Sequence, residues 1–283
     1  MVQHRPIPAV PPPPRAELLP KRFRHAGRGT PSLSVGTAVG YAGARQPIAW
    51  IEADLSIFNT LSQISRRRKL ELLCSVFPLS PHIRVLDVGG ELDAGKALLI
   101  ENHPDRSMVT VVNLREQHVE RVRSRYPEVR TQVADARKLP FSDNEFDLVF
   151  SNAVIEHVGS LNDQQQMASE VMRVGRNWFV TTPNRWFPFE FHLRLPMVSW
   201  LPAPMMLRVA NMWSYDHVQR RYRSGIRQQI RLLTRSELEK MFPGSRVDSV
   251  RVTIWPETLV VVGGEALEGQ GAWLPGAPRA SHS

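Results

Sequence analysis

The nine residues from Gly89 to Ala97, GGELDAGKA, are spaced to bind phosphates. Gly90, four residues, Gly95 and Lys96 match the loop whose backbone amides wrap a nucleoside triphosphate. The chemistry fails at two points. Ala97 stands where a Ser or Thr hydroxyl would hold magnesium, and Glu91 and Asp93 place two carboxylates where phosphates would lie. Repulsion at that range costs kcal/mol once the charges are partly desolvated. The dinucleotide pattern Gly-x-Gly-x-x-Gly is absent as well, because the second glycine position counted from Gly89 is Glu91. A loop of this charge suits a nucleoside that lacks phosphates and carries positive charge.

The elements that must position this loop alternate along the chain. IRVLDVGG, SMVTVVNL, VRTQVAD, FDLVFSN and WFVTTP read as five strands, and helical patterns separate most of them. Residues 162–174 carry Met167, Ala168, Val171 and Met172 at helical spacing, and 52–77 read as a helix whose run SRRRKLELL is a solvated face. Thr234 and Glu237 have capping-box spacing at the start of a late helix. VDSVRVTIW and TLVVVGG follow as two closing strands, read as an antiparallel pair. Such alternation implies a mostly parallel sheet covered on both faces, which binds ligands beyond the carboxyl ends of its strands.

The totals bound the rest. A chain of 283 residues, 42% hydrophobic, can bury one sizeable α/β core with appendages. Net charge is +9, but residues 1–47 hold seven Lys/Arg against one Glu, so two thirds of the excess lies in one Pro-rich segment. That segment reads as a disordered basic arm, and the body keeps too little charge to require a polyanionic partner. A second flexible tail is expected over 265–283, leaving 48–264 as the folded domain. The single Cys74 excludes an intramolecular disulfide framework. With no secretory pattern and no run of 18 apolar residues, the expected location is the cytoplasm. LPMVSWLPAPMMLRVA, 195–210, is the most membrane-like stretch, but its three prolines favour burial against the body over weak interfacial contact.

Four motifs in order, over roughly residues 80–264, resemble the class I S-adenosylmethionine-dependent methyltransferases, in particular the small-molecule type with a methyltransferase-11-like core. RVLDVGG looks like the first, a strand with Asp87 and a glycine turn at Gly89 and Gly90 that lets backbone approach the cofactor's methionine portion. VTVVNL ends at Asn113, where the family usually places an acid for the ribose hydroxyls. VADARKLPF resembles the adenine-side motif, with Asp135 to accept from the exocyclic amine and Ala136 to offer its backbone amide. FDLVFSNAVIEHV resembles the strand and turn beneath the transferring methyl, which implies that Ser151 and Asn152 at its end are further cofactor contacts. The cofactor so implied, S-adenosylmethionine, carries both a sulfonium and an amino group, which fits the loop's carboxylates. The implied fold is α/β, Rossmann-like and doubly wound, a mostly parallel seven-stranded sheet with an antiparallel last strand and a helical lid insertion. Glu91 and Asp93 in place of family glycines, and Asn113 in place of the acid, are the departures.

Methyl transfer is a direct displacement, so the protein must align the acceptor and, where needed, remove a proton. His157 and His192, after the fourth and fifth strands, are the candidate bases. Glu156, His157, Glu190 and His192 also have metal-ligand chemistry, but their spacing shows no convergence and no metal is expected. The segment 184–232 exceeds a simple crossover and is rich in aromatics, among them Trp186, Phe187, Trp200 and Trp213. It is read as an acceptor lid, with Arg220, Arg221, Arg223 and Arg227 either on a solvated face or facing an anionic group. The expected function is methylation of a small molecule, at oxygen. Two alternatives stay open: a nucleic-acid methyltransferase using the basic arm, and a degenerate scaffold without cofactor affinity.

Overall fold

β-branched side chains build the middle of the sheet, as expected where both faces are covered. The computed structural model describes residues 49–92, 98–190, 195–216, 221–223 and 230–268. The expected arm over 1–47 and the tail from 269 lie outside the described residues. The described chain begins with α1 (Ala49–Val76), β1 (Val85–Val88), α2 (Leu98–Asn102), β2 (Val109–Asn113), α3 (Glu116–Arg125) and β3 (Arg130–Val133). Next come β4 (Leu148–Asn152), a 3₁₀ turn at Ile155–His157, α4 (Leu161–Val174) and β5 (Asn177–Pro183). The insertion after β5 contains β6 (Phe189–Glu190), β7 (Leu195–Pro196), α5 (Ala203–Met212), β8 (Ser214–Asp216) and β9 (Arg221–Arg223). The chain then forms α6 (Arg235–Met241), β10 (Arg246–Arg251), β11 (Pro256–Gly264) and α7 (Glu265–Glu268).

The main sheet has seven strands in the order β10-β11-β5-β4-β1-β2-β3. Only β11 runs against its neighbours, pairing antiparallel with both β5 and β10. The expected antiparallel closing pair therefore exists, and the last strand of the chain inserts between the fifth strand and the edge. The insertion is less helical than expected, since two short hairpins, β6–β7 and β8–β9, flank α5.

Alternation along the strands divides the core in two. Leu86, Val88, Val112 and Val149 face α4 and α6, with Met167, Val171 and Leu238. Val85, Val111, Phe150 and Phe179 face the other side, with Leu73 of α1 and Val122 of α3. The Phe150 and Phe179 rings stack with centres 6.0 Å apart, and truncating either would cost about 3–5 kcal/mol. By this alternation Asp87 shares the face of Val85 and sits between Val111 and Phe150 in register.

The helix signals behave as their residues predict. Ser160 and Asp163 cap α4 reciprocally, and Thr234 and Glu237 do the same for α6. The expected solvated face of α1 needs correction. Ser65 and Lys69 are buried, because four-residue spacing places them on one stripe with Leu73.

Candidate functional site

β1 ends in a turn that only glycine can make. Gly89 has φ +80° and donates its N–H to the Val112 carbonyl at 2.7 Å; a Cβ there would lie 2.4 Å from a Val154 methyl. At Gly90 a Cβ would lie 2.8 Å from Asp87 Oδ2 and 2.9 Å from Val111. Backbone can therefore approach a ligand where any side chain would intrude. Behind the turn, the Asp87 side chain is 2% exposed and its Oδ2 has no hydrogen-bond partner. Burial pushes this carboxyl up to about 7. An orphaned acid under a glycine cradle is a place for a cation or a donor.

Glu91 turns toward α3, its carboxylate 3.1 Å from His118 Nδ1, in ion-pair range although not aligned as a hydrogen bond. Asp93 lies outside the described residues, with the rest of the loop to Ala97. At the end of β2, Asn113 braces the turn: its Nδ2 donates to the Gly90 carbonyl at 3.1 Å and its Oδ1 accepts from Arg115 N at 3.0 Å. One donor and one acceptor position remain to the amide. After β3, Asp135 is chelated by Arg137, at 2.6 Å from Nη2 and 3.0 Å from Nε, and Arg137 Nη1 reaches Asp163 at 2.7 Å. The hydrogen bond from Arg137 holds Asp135 below the usual carboxylate range. Those from Ser160, then from Arg137, bring Asp163 to about 2. Ala136, between Asp135 and Arg137, packs on the core of the α4 side.

The β4 end divides its two predicted residues. Ser151 is fully buried and donates to the Val88 carbonyl at 3.2 Å, which makes it a brace between β4 and β1. Asn152 Oδ1 accepts from Lys69 Nζ at 2.8 Å and from Thr181 Oγ1 at 2.7 Å. With both lone pairs of the carbonyl engaged, the orientation of the amide is fixed. Lys69 escaped the sequence reading, although its four-residue spacing from Leu73 was the available signal. Glu257 is buried nearby; burial raises its pKa, and a hydrogen bond from Ser65 and the Lys69 charge oppose the rise. Ala153 follows with φ +57°, an uncommon conformation for a residue with a side chain.

In the Ile155–His157 turn Ile155 and Glu156 both face inward, and the fully buried Glu156 accepts from Thr182 Oγ1 at 3.0 Å. His157 is exposed. His192 and the neighbouring residues 191–194 lie outside the described residues, as do Arg220 and Arg227. Among the described residues no group of three or more His, Cys, Asp or Glu could hold a metal ion.

A cavity of about 500 Å³ opens where the chain leaves β4 and β5. Gly159, Ser160 and Asp163 at the start of α4 form one wall, and Arg185, two residues past β5, forms another. Leu201, Met206, Ile230 and Leu232 supply apolar walls from the insertion. Asp163 faces this cavity and also holds Arg137, so one arginine joins the cavity wall to the Asp135 loop. No described helix is long and apolar enough to cross a membrane.

Part of this chain is similar to known proteins. Residues 86–177 match the family model described as "Methyltransferase domain". A "Probable S-adenosylmethionine-dependent methyltransferase" of Mycolicibacterium smegmatis is 42% identical over 73 residues, 25% of this chain and 27% of that protein. One of Mycobacterium tuberculosis is 41% identical over 80 residues, 27% of this chain and 28% of its own. The matched part thus spans little more than a quarter of the curated relatives' length. A solved structure from Pyrococcus horikoshii covers 71% of this chain and 89% of its own at 20% identity, with a TM-score of 0.47. The matched residues run from β1 to the start of β5 and contain the glycine turn, the Asp135 loop and the β4 end. Residues 86–177 are therefore similar to a methyltransferase domain, and the relatives that match within this chain are described as S-adenosylmethionine-dependent.

Proposed function

We propose that this chain transfers a methyl group from S-adenosylmethionine to a small-molecule acceptor, at oxygen. The observation that carries the reading is the buried, partnerless Asp87 Oδ2 beneath the Gly89–Gly90 cradle. These residues fit the cofactor: the glycines admit its methionine portion, and the acid behind them favours its ammonium group. Asn113 keeps one donor and one acceptor for the ribose hydroxyls, and the adenine edge falls to Asp135 and the Ala136 amide. When bound, S-adenosylmethionine supplies an activated methyl on a sulfonium leaving group.

The protein's own part is alignment and protection. Asn152, fixed by Lys69 and Thr181, presents its Nδ2 as an oriented donor at the β4 end. The cavity holds the acceptor against apolar walls at the ends of β4 and β5 and excludes water from the reacting groups. His157, on the turn that leads into the cavity wall, serves as base for an acceptor hydroxyl, with His192 as the second candidate. The reading includes a cytoplasmic setting and no nucleic-acid partner, consistent with a body that carries little net charge.

Calorimetric titration with S-adenosylhomocysteine beside magnesium-ATP tests this. Micromolar binding of the first and none of the second is expected. Silence toward the first would favour the scaffold alternative, and ATP binding would restore the phosphate-loop reading.

A further inference from the structure

Three arginines stand around the cavity at the ends of β4 and β5, and two are already neutralised. Arg137 spans Asp135 and Asp163, and Arg231 donates to Glu237 and to Gln164. The wall hydroxyls are engaged too: Ser160 Oγ with Asp163 Oδ2 at 2.6 Å, and Ser199 Oγ with the Phe187 carbonyl at 3.1 Å. Arg185 differs. Its guanidinium lies over the Trp186 ring in cation–π range, 5.8 Å from the centre, and meets no carboxylate among the described residues. A cation–π contact leaves the guanidinium N–H groups for a planar anion, a task for which Arg is better shaped than Lys. The other walls are Leu201, Met206, Ile230 and Leu232, and the exposed side chains of Trp186, Trp200 and Met205 extend the apolar surface next to them in the chain.

We infer that the acceptor is an anionic amphiphile, whose carboxylate or phosphate is held by Arg185 and whose apolar body lies against Leu201, Met206, Ile230 and Leu232. The inference deepens the methyltransferase reading and rests on it. It follows from the partners: Arg137 and Arg231 each meet a carboxylate, whereas Arg185 meets none among the described residues and keeps its positive charge beside hydrocarbon. A neutral sugar or a cationic amine would leave that charge unanswered in a half-buried site.

The test is calorimetry of the full chain, saturated with S-adenosylhomocysteine, against decanoate, decyl phosphate and decanol below micelle-forming concentrations. Both anions should bind, decanol about tenfold more weakly or worse. The tighter of the two anions identifies the head group. Arg185→Gln should weaken the anions about tenfold while leaving decanol and S-adenosylhomocysteine unchanged, and Arg185→Lys should recover part of the loss. Equal binding of decanol and decanoate, anion binding untouched by Arg185→Gln, or no binding by any of the three would overturn the inference. Failure to bind S-adenosylhomocysteine would count against the methyltransferase reading instead. The same series on the cofactor-free protein would still decide the cavity.

Discussion

The two halves of the crevice are built on different principles. At the ends of β1, β2 and β3 the walls are backbone and short polar side chains, and the tolerance is that of a single methyl: a Cβ on Gly89 or Gly90 has nowhere to go. At the ends of β4 and β5 the walls come from α4, the insertion and residues 230–232, and they enclose a chamber with room for many different molecules. In the proposed reading the first half meets a cofactor that never changes, and fixed backbone suffices for it. An acceptor is met by side chains on added elements, which can vary without disturbing the sheet.

Substitutions should separate the halves, and the largest effect belongs to the tight one. Gly89→Ala places a methyl group 2.4 Å from Val154 at φ +80°, so the turn must open. Loss of S-adenosylhomocysteine binding by at least about a hundredfold is expected, with a stability decrease of roughly 1–3 kcal/mol in denaturant unfolding. Wild-type affinity in this variant would mean that the turn does not receive the cofactor. On the acceptor side, Lys69→Met removes the ammonium that fixes Asn152 and faces Glu257, leaving buried polar groups unanswered. Here stability should fall by about 1–3 kcal/mol and methyl transfer should slow, while S-adenosylhomocysteine affinity changes less than about threefold. A large affinity loss in Lys69→Met would erase the distinction between the halves.

The same division explains what could be read from the chain. Short apolar β-branched runs, Gly89 and Gly90, and the Ser160 and Thr234 caps act locally, so the order of strands, the glycine turn and the helix starts were legible. Asn113 was legible as the end of β2 but not as a brace on Gly90, because that bond joins residues 23 positions apart. Ser151 looked like a crevice residue until strand pairing turned its hydroxyl to Val88. Lys69 was hidden inside SRRRKLELL, where its neighbours Arg67 and Arg68 do face solvent and only the Leu73 stripe marks it as inward. Burial within the pair Glu156–His157 was not legible either: the acid is the buried member and the histidine the exposed one. The antiparallel insertion of β11 between β5 and β10 depends on long-range pairing that no local pattern encodes.

Asp87 joins fold to function, and its titration tests the account most directly. Burial raises its folded-state value to about 7, above the usual 3.8. Its favourable contribution to stability is therefore full below the unfolded value and is lost as pH rises through about 7. A cationic ligand gains on the same rise, because the carboxylate it needs forms there. The measurement is S-adenosylhomocysteine affinity from pH 6 to 8 in the wild type and in Asp87→Asn, read as the difference between the two so that the ligand's own amine cancels. The account predicts an advantage of the wild type that grows through about pH 7. A difference that stays flat across this range would contradict it, and would remove Asp87 from the cofactor site.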